Sequence, residues 1–156
     1  MDPTNLALLE TELRRDEGIR YARYLDSLGI PSTGVGHNLL ASPLPAGWTY
    51  PLNDAQVNQL LNGDIAETFH QLDTHLPWWR QLDEVRQRVI ANMCFNMGIG
   101  TLLTFHNTLG AMQRGSYAVA AAGMKASKWS GQVGDRAQRL CKAMETGVMP
   151  VAAGVA

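Results

Sequence analysis

Apolar residues near the start of the chain recur at helical spacing. Leu6, Leu9 and Leu13 fall three and four positions apart, so that they share one side of a helix. Gly18 follows this stretch, and glycine is common just beyond a helix end. The pattern therefore predicts a short amphipathic helix over residues 4–16.

The next stretch has the pattern of a small hairpin. Residues 19–24 and 30–35 suit strands, and the sequence DSLG between them, residues 26–29, favours a tight turn. No other part of the chain predicts a strand. Residues 41–52 contain three prolines and a glycine, which predicts a loop.

Two longer helices are predicted after the loop. Asn53 and Gln56 have the spacing of a capping box, and Pro77 ends the helix that they begin. Its apolar face consists of Val57, Leu60, Leu61, Ile65 and Phe69. A second helix is predicted over residues 82–97, and because its second half is apolar on all sides, we expect it to be buried.

The remaining sequence predicts shorter helices. Residues 89–113 contain no Asp, Glu, Lys or Arg, but several Asn, Thr and Gly residues interrupt them, which favours two buried helices joined by a glycine-rich turn over a membrane span. Further helices are predicted over residues 107–114, 117–127 and 134–145. Residues 148–156 are expected to form a frayed tail.

This order of elements predicts an α+β fold. A chain of 156 residues can bury one sizeable core, so we expect a single domain over residues 1–156. Within it, we expect residues 14–60 to form a small mixed lobe. Residues 1–13 and 61–147 are expected to form a helical lobe.

Charge and cysteine content narrow the possible partners. Lys and Arg number 13 against 14 Asp and Glu, a net charge of −1, which argues against a nucleic-acid or membrane-surface partner. Cys94 and Cys141 are expected to be buried reduced thiols. The N-terminal sequence lacks the pattern of a secretory signal or signal anchor, which predicts a protein that begins in the cytoplasm.

Glu17 and Asp26 are the candidate catalytic residues. Two acids nine positions apart are most often solvated surface charges. However, Glu17 is predicted at the C-terminal end of the first helix, where the helix dipole disfavours another negative charge. An acid in a position that costs stability suggests a functional role. A carboxyl group that stays protonated near neutral pH can act as a general acid.

The residues around these acids resemble those of the phage-type lysozymes. The similarity covers most of the chain: Asp16-Glu17-Gly18, Tyr24-Leu25-Asp26, Gly29, residues 32–37, 60–64 and 92–98, Trp129, residues 135–139, and Thr146-Gly147. It implies a lysozyme-like fold in which an acid, a second carboxylate and a hydroxyl group share one cleft.

The resemblance also implies a role for each catalytic position. Glu17 corresponds to the general acid that protonates the glycosidic oxygen, and Asp26 to the carboxylate that supports the attacking water, as in an inverting glycosidase. The third position is threonine in the family and Ser32 here, which keeps the hydroxyl group. Thr33 is the alternative, but a shift of one residue turns a side chain to the other face of a strand, so Ser32 is preferred.

Further residues are implied to bind substrate or to support the site. The substrate-binding positions are Gly36, Asn38, Phe95, Asn96, Thr108 and Gly123, and the supporting residues are Arg136, which approaches the catalytic glutamate, and the salt-bridged pair His37 and Asp64. Asn38 and Gly123 depart from the family's residue types, so the preference among peptidoglycan types is expected to differ. We expect the four tryptophans to pack in the core or along the lobe seam, with stacking on sugars as the less favoured alternative. They are Trp48, Trp78, Trp79 and Trp129.

The resemblance leads to a specific functional hypothesis. The protein is expected to be a phage endolysin, an inverting muramidase that cleaves the β-1,4 bond between N-acetylmuramic acid and N-acetylglucosamine in peptidoglycan, without a metal or organic cofactor. We expect a monomer in the host cytoplasm that reaches the periplasmic cell wall through a lesion made by a holin. A lytic transglycosylase and a catalytically silent peptidoglycan-binding or effector domain are the alternatives.

Overall fold

The computed structural model describes residues 1–151, which form a mixed fold of eight α-helices and one small sheet. The α+β prediction is confirmed. The strands are β1 (Arg20–Leu25), β2 (Pro31–Gly34) and β3 (His37–Asn38). The helices are α1 (Pro3–Glu17), α2 (Asp54–His75), α3 (Glu84–Met97), α4 (Ile99–Leu102), α5 (His106–Gln113), α6 (Tyr117–Lys125), α7 (Lys128–Val133) and α8 (Asp135–Thr146).

Residues 6–67 form one compact unit, which contains the sheet. The strands lie in the order β1-β2-β3, and both pairs are antiparallel. The predicted hairpin is present, with Tyr24 opposite Ser32. The third strand was not predicted, because two residues are too few to show the alternation that identifies a strand.

Helix α2 begins in the same unit, at the predicted capping box. The Asn53 side chain accepts from the Gln56 backbone N–H at 2.8 Å, and the Gln56 side chain accepts from the Asn53 N–H at 2.9 Å. Pro77 follows the helix and opens a 3-10 helix, Pro77–Gln81. The buried side chains of α2 in this unit include Val57, Leu61 and Ile65.

Residues 1–5 and the chain from Thr68 onward form the second unit. Helix α3 is buried from Gln87 to Cys94 without a break, as its apolar sequence predicted. Helix α6 packs against both α5 and α8. Helices α4 and α7 were not predicted, since four and six residues carry too little periodicity.

The cysteine prediction is half right. Both thiols are free, but only Cys94 is buried, and Cys141 is partly exposed on α8. Burial raises the pKa of Cys94 to about 12, so this thiol stays protonated and unreactive at neutral pH.

No helix within residues 1–151 has the length and apolar character needed to cross a membrane. The last helix ends at Thr146. Part of the predicted frayed tail, residues 152–156, lies outside the described residues.

Candidate active site

Glu17 is the last residue of α1, and its carboxyl group lies against the backbone of Gly36. Gly36 has a φ of +65°, a conformation that side chains rarely adopt. A Cβ atom added there would lie 2.7 Å from Glu17 Oε2. The position therefore needs glycine twice over, for its backbone conformation and for the space that the carboxyl group fills.

Asp26 is fixed by the turn that joins β1 and β2. Its Oδ1 atom accepts hydrogen bonds from the backbone N–H groups of Leu28 at 2.8 Å and Ile30 at 2.9 Å. The backbone closes the same turn, where Gly29 N–H donates to the Asp26 carbonyl at 2.9 Å. One carboxylate oxygen is thus tied to the backbone, which orients the other, Oδ2.

Ser32 and Thr33 use their hydroxyl groups in different ways. Ser32 Oγ donates to the Ile30 carbonyl at 3.1 Å, which leaves its lone pairs as acceptors. Thr33 is fully buried, and its hydroxyl donates to the Ala22 carbonyl of β1 at 3.0 Å. Since successive strand residues face opposite sides, only one of the two can face the acids.

Tyr24 lies where the electrostatic influence of both acids overlaps. Burial raises the pKa of its phenol, and the charges of Glu17 and Asp26 raise it further, while Arg20 and the Gly36 N–H act in the opposite direction. The sequence resemblance includes Tyr24 only as part of a motif, and the strand pairing that sets it opposite Ser32 is what identifies it here.

The structure places His37 beside Asp64. The ring Nδ1 lies 2.7 Å from Asp64 Oδ2, and Nε2 lies 2.7 Å from the Ser42 carbonyl. Burial alone would lower the pKa of His37, but Asp64 and the Ser42 carbonyl outweigh it, so the pKa is raised above 6.5. Both ring nitrogens act as donors in the protonated form, which suits these two acceptors.

Asn38 does not present its amide oxygen to a ligand. Its Oδ1 atom accepts from the backbone N–H groups of Leu40 at 2.9 Å and Ala41 at 3.0 Å. This side chain closes the turn after β3, a role that asparagine commonly has. Its contact with sugar stays a prediction, and such a contact would use the side-chain NH₂ group because the oxygen is already engaged.

Four of the predicted substrate-binding residues lie in the second unit. Trp129 Nε1 donates to Asn96 Oδ1 at 2.8 Å, and Phe95, next to Asn96, is half-buried. A pocket of about 600 Å³ contains Trp129, Thr108 and Gly123 in its lining. The Thr108 hydroxyl fills the space that a Gly123 side chain would need, so the glycine allows Thr108 to take this position.

Arg136 is buried in the second unit, where its Nε donates to Asn92 Oδ1 at 2.9 Å. Its approach to Glu17 stays a prediction. Within residues 1–151, His, Cys, Asp and Glu do not form any group of three or more that could hold a metal ion.

A glutamate at a helix end, an aspartate in a hairpin turn and a serine hydroxyl on β2 are groups from which a glycosidase site with two carboxylates can be built. Comparison with known proteins identifies the family. Residues 14–145 match the phage lysozyme family, and the chain belongs to it. The family classes the protein as a glycoside hydrolase of the lysozyme type.

Relatives of the chain come from a phage and from an amoeba. The pre-baseplate central spike protein of Enterobacteria phage T4 is 28% identical over 94% of this chain, which spans only 29% of that protein. Probable T4-type lysozyme 1 of Dictyostelium discoideum is 26% identical over 88% of this chain and 93% of its own length. Probable T4-type lysozyme 2 of the same organism is 25% identical, over 90% and 95%.

Proposed function

We propose that the protein is an inverting muramidase that hydrolyses the β-1,4 bond between N-acetylmuramic acid and N-acetylglucosamine in peptidoglycan. Membership of the lysozyme family supports peptidoglycan as the substrate. The observation that carries the assignment of residues is that Glu17 lies against Gly36, just beyond the end of β2, while Asp26 is fixed in the turn that leads into β2 and Ser32 lies on that strand. Two carboxyl groups on either side of a sugar are what glycoside hydrolysis requires.

Glu17 is the general acid in this proposal. It donates its proton to the glycosidic oxygen as the bond to the anomeric carbon breaks, so that the leaving sugar departs as a neutral alcohol. The Gly36 backbone supports this role because the carboxyl group rests against it and has few other positions to adopt. A fixed donor reduces the entropy lost on reaching the transition state.

Asp26 and Ser32 act on the water in this proposal. Since Asp26 Oδ1 is held by two backbone donors, Oδ2 is the oxygen that accepts a proton from the attacking water. Ser32 donates its own proton to the Ile30 carbonyl, so its oxygen is an acceptor for the other hydrogen of that water. Attack from the face opposite the leaving group inverts the anomeric carbon.

Thr33 is a poor substitute for Ser32 because its hydroxyl is buried and donates to the Ala22 carbonyl. A lytic transglycosylase needs one acid and no bound water, so the fixed geometry of Asp26 and the hydroxyl of Ser32 favour a hydrolase. A silent binding module would not need Glu17 to pack against Gly36.

We propose that the whole chain works as one monomeric lysozyme domain and as a phage endolysin. It would then lyse the host from within, pass from the cytoplasm to the periplasm through a holin lesion, and use neither a nucleic-acid partner nor a cofactor. The similarity to the T4 spike protein supports a tail-associated lysozyme as a second candidate. Both candidates share the same chemistry and differ in whether the protein is found in purified virions.

The test is hydrolysis of purified peptidoglycan by the wild type, Glu17→Gln and Asp26→Asn. We expect Glu17→Gln to lower kcat/KM by roughly 10²–10⁴-fold, the usual contribution of a general acid. Glu10→Gln, on the same helix, is the matched control and should keep full activity. Mass spectrometry of the products should show an ordinary reducing end, to which water has been added. NMR of the first products should show the α anomer.

Three results would contradict the proposal. Anhydro sugar products would indicate a transglycosylase, and a β anomer at the first time points would exclude inversion. If the wild type binds peptidoglycan and does not cleave it, the chain is a binding module.

A further inference from the structure

The hydroxyl group of Tyr24 has no role in the chemistry described above, although Tyr24 lies directly opposite Ser32 in the sheet. We propose that Tyr24 is a substrate-binding residue, whose O–H group donates a hydrogen bond to an uncharged oxygen of the sugar held between Glu17 and Asp26. This inference rests on the proposed function, since it assumes that the sugar binds between these acids.

The strand register places Tyr24 on the reactive face of the sheet. Tyr24 in β1 lies directly opposite Ser32 in β2. Side chains of opposed residues in an antiparallel pair point to the same face, with Cβ atoms roughly 5 Å apart. A molecule in contact with Ser32 is therefore within reach of the phenol.

The ring of Tyr24 is held in place. The guanidinium carbon of Arg20 lies 4.6 Å from the ring centroid, within the range of a cation–π contact. The side chain is half-buried, while Tyr21 on the same strand is exposed. A held ring loses little conformational freedom when its hydroxyl group binds a ligand.

The chemistry of the phenol is that of a neutral donor. Burial and the two nearby carboxylates keep it protonated well beyond neutral pH. Among residues 1–151 the Tyr24 O–H has no hydrogen-bond acceptor, whereas Tyr21 donates to Asp54 at 2.6 Å.

An uncharged sugar oxygen is the acceptor that fits this donor. A sugar bound between the two acids offers its hydroxyl, ring and acetamido oxygens as hydrogen-bond acceptors. The phenol of Tyr24 can donate to one of them. Because the sugar keeps these oxygens throughout the reaction, the bond forms in the bound substrate as well as in the transition state. Its loss should therefore weaken binding more than it slows the chemical step.

The test is Tyr24→Phe, which removes only the hydroxyl group and keeps the ring against Arg20. With soluble uncrosslinked glycan strands as substrate, KM should rise roughly threefold to tenfold, the value of one neutral hydrogen bond, while kcat stays within about twofold. In a Glu17→Gln background, Tyr24→Phe should weaken binding of the same strands by the same factor. Thermal unfolding should show that both variants are folded at the assay temperature.

Tyr21→Phe is the matched control, since it removes a phenol from the same strand that already has a partner in Asp54. It should leave KM and binding unchanged. An unchanged KM in Tyr24→Phe, a fall in kcat without a rise in KM, or an equal effect of Tyr21→Phe would overturn the inference. If the wild type is active and Glu17→Gln is not, any of these results refutes the role of Tyr24 alone, whereas an inactive wild type refutes the proposed function itself.

Discussion

At the scale of single residues, Gly36 is the position at which backbone conformation and chemistry coincide. Gly36→Ala should lower activity strongly, because its Cβ would lie 2.7 Å from Glu17 Oε2 and displace the carboxyl group. A displacement of the catalytic acid by about 1 Å can lower the rate on the order of 10²-fold. Steady-state kinetics on purified peptidoglycan, together with denaturant unfolding, would measure the two effects separately.

Gly47→Ala provides the control for the backbone term. Gly47 has a φ of +85°, but a Cβ atom there meets nothing within 4 Å. Both variants should lose about 1–2 kcal/mol of unfolding free energy from the left-handed conformation. Only Gly36→Ala should lose activity, and an equal loss in both would mean that contact with Glu17 does not matter.

The sequence predicted some residues of the site much better than others. Glu17 could be placed at a helix end and Asp26 in a turn, because local patterns define both positions. The proposed role of Tyr24 depends on the register of two strands, which no local pattern contains. The turn contacts of Asn38 likewise depend on how the following backbone folds.

At the scale of elements, the capping box anchors the start of α2. Asn53→Ala should lower the free energy of unfolding by about 1 kcal/mol, because it leaves the Gln56 N–H without its acceptor. Urea unfolding would measure the change, and kcat/KM should be unaffected since the bond lies outside the proposed site. Asn62→Ala, on an exposed turn of the same helix, should be neutral or slightly stabilising. Equal destabilisation by both substitutions would argue against a capping role.

The length of an element decided whether the sequence could predict it. Helices α2 and α3 each have several turns of apolar periodicity, and the sequence predicted both of them, together with the capping box of α2. Strand β3 and helices α4 and α7 have two, four and six residues, too few for a repeat to be visible. Such short elements form because neighbouring elements satisfy their backbone groups, and a local sequence pattern does not reveal those neighbours.

At the scale of the whole molecule, the pair of His37 and Asp64 should make stability depend on pH. The pair joins β3 to α2, and its histidine is nearly inaccessible, with 4% of the side chain exposed. In the folded protein the pKa of His37 is raised above its ordinary value of 6.5. The native state therefore holds a proton more tightly than the unfolded chain does, and protonation of His37 stabilises the fold.

The direction of the effect follows from that sign. The stabilisation is fully present below about pH 6.5 and is lost as the pH rises through the folded-state pKa of His37. Asp64→Asn should consequently cost on the order of 1 kcal/mol of unfolding free energy near pH 5.5 and clearly less near pH 8.5. Urea unfolding across this range would measure the difference between the wild type and the variant.

A double-mutant cycle with His37→Gln connects this pH dependence to the pair. Asp64→Asn should have a nearly constant effect across pH in the His37→Gln background, because the group that titrates is then absent. A pH-dependent cost that persists there would show that Asp64 acts through another residue. A cost in the wild-type background that grows with pH would contradict the expectation, because Asp64 would then have to lower the pKa of His37 instead of raising it. The contribution of His37 to wild-type stability reports the net shift: if it grew with pH across this range, burial of the imidazole ring would outweigh Asp64 and the Ser42 carbonyl.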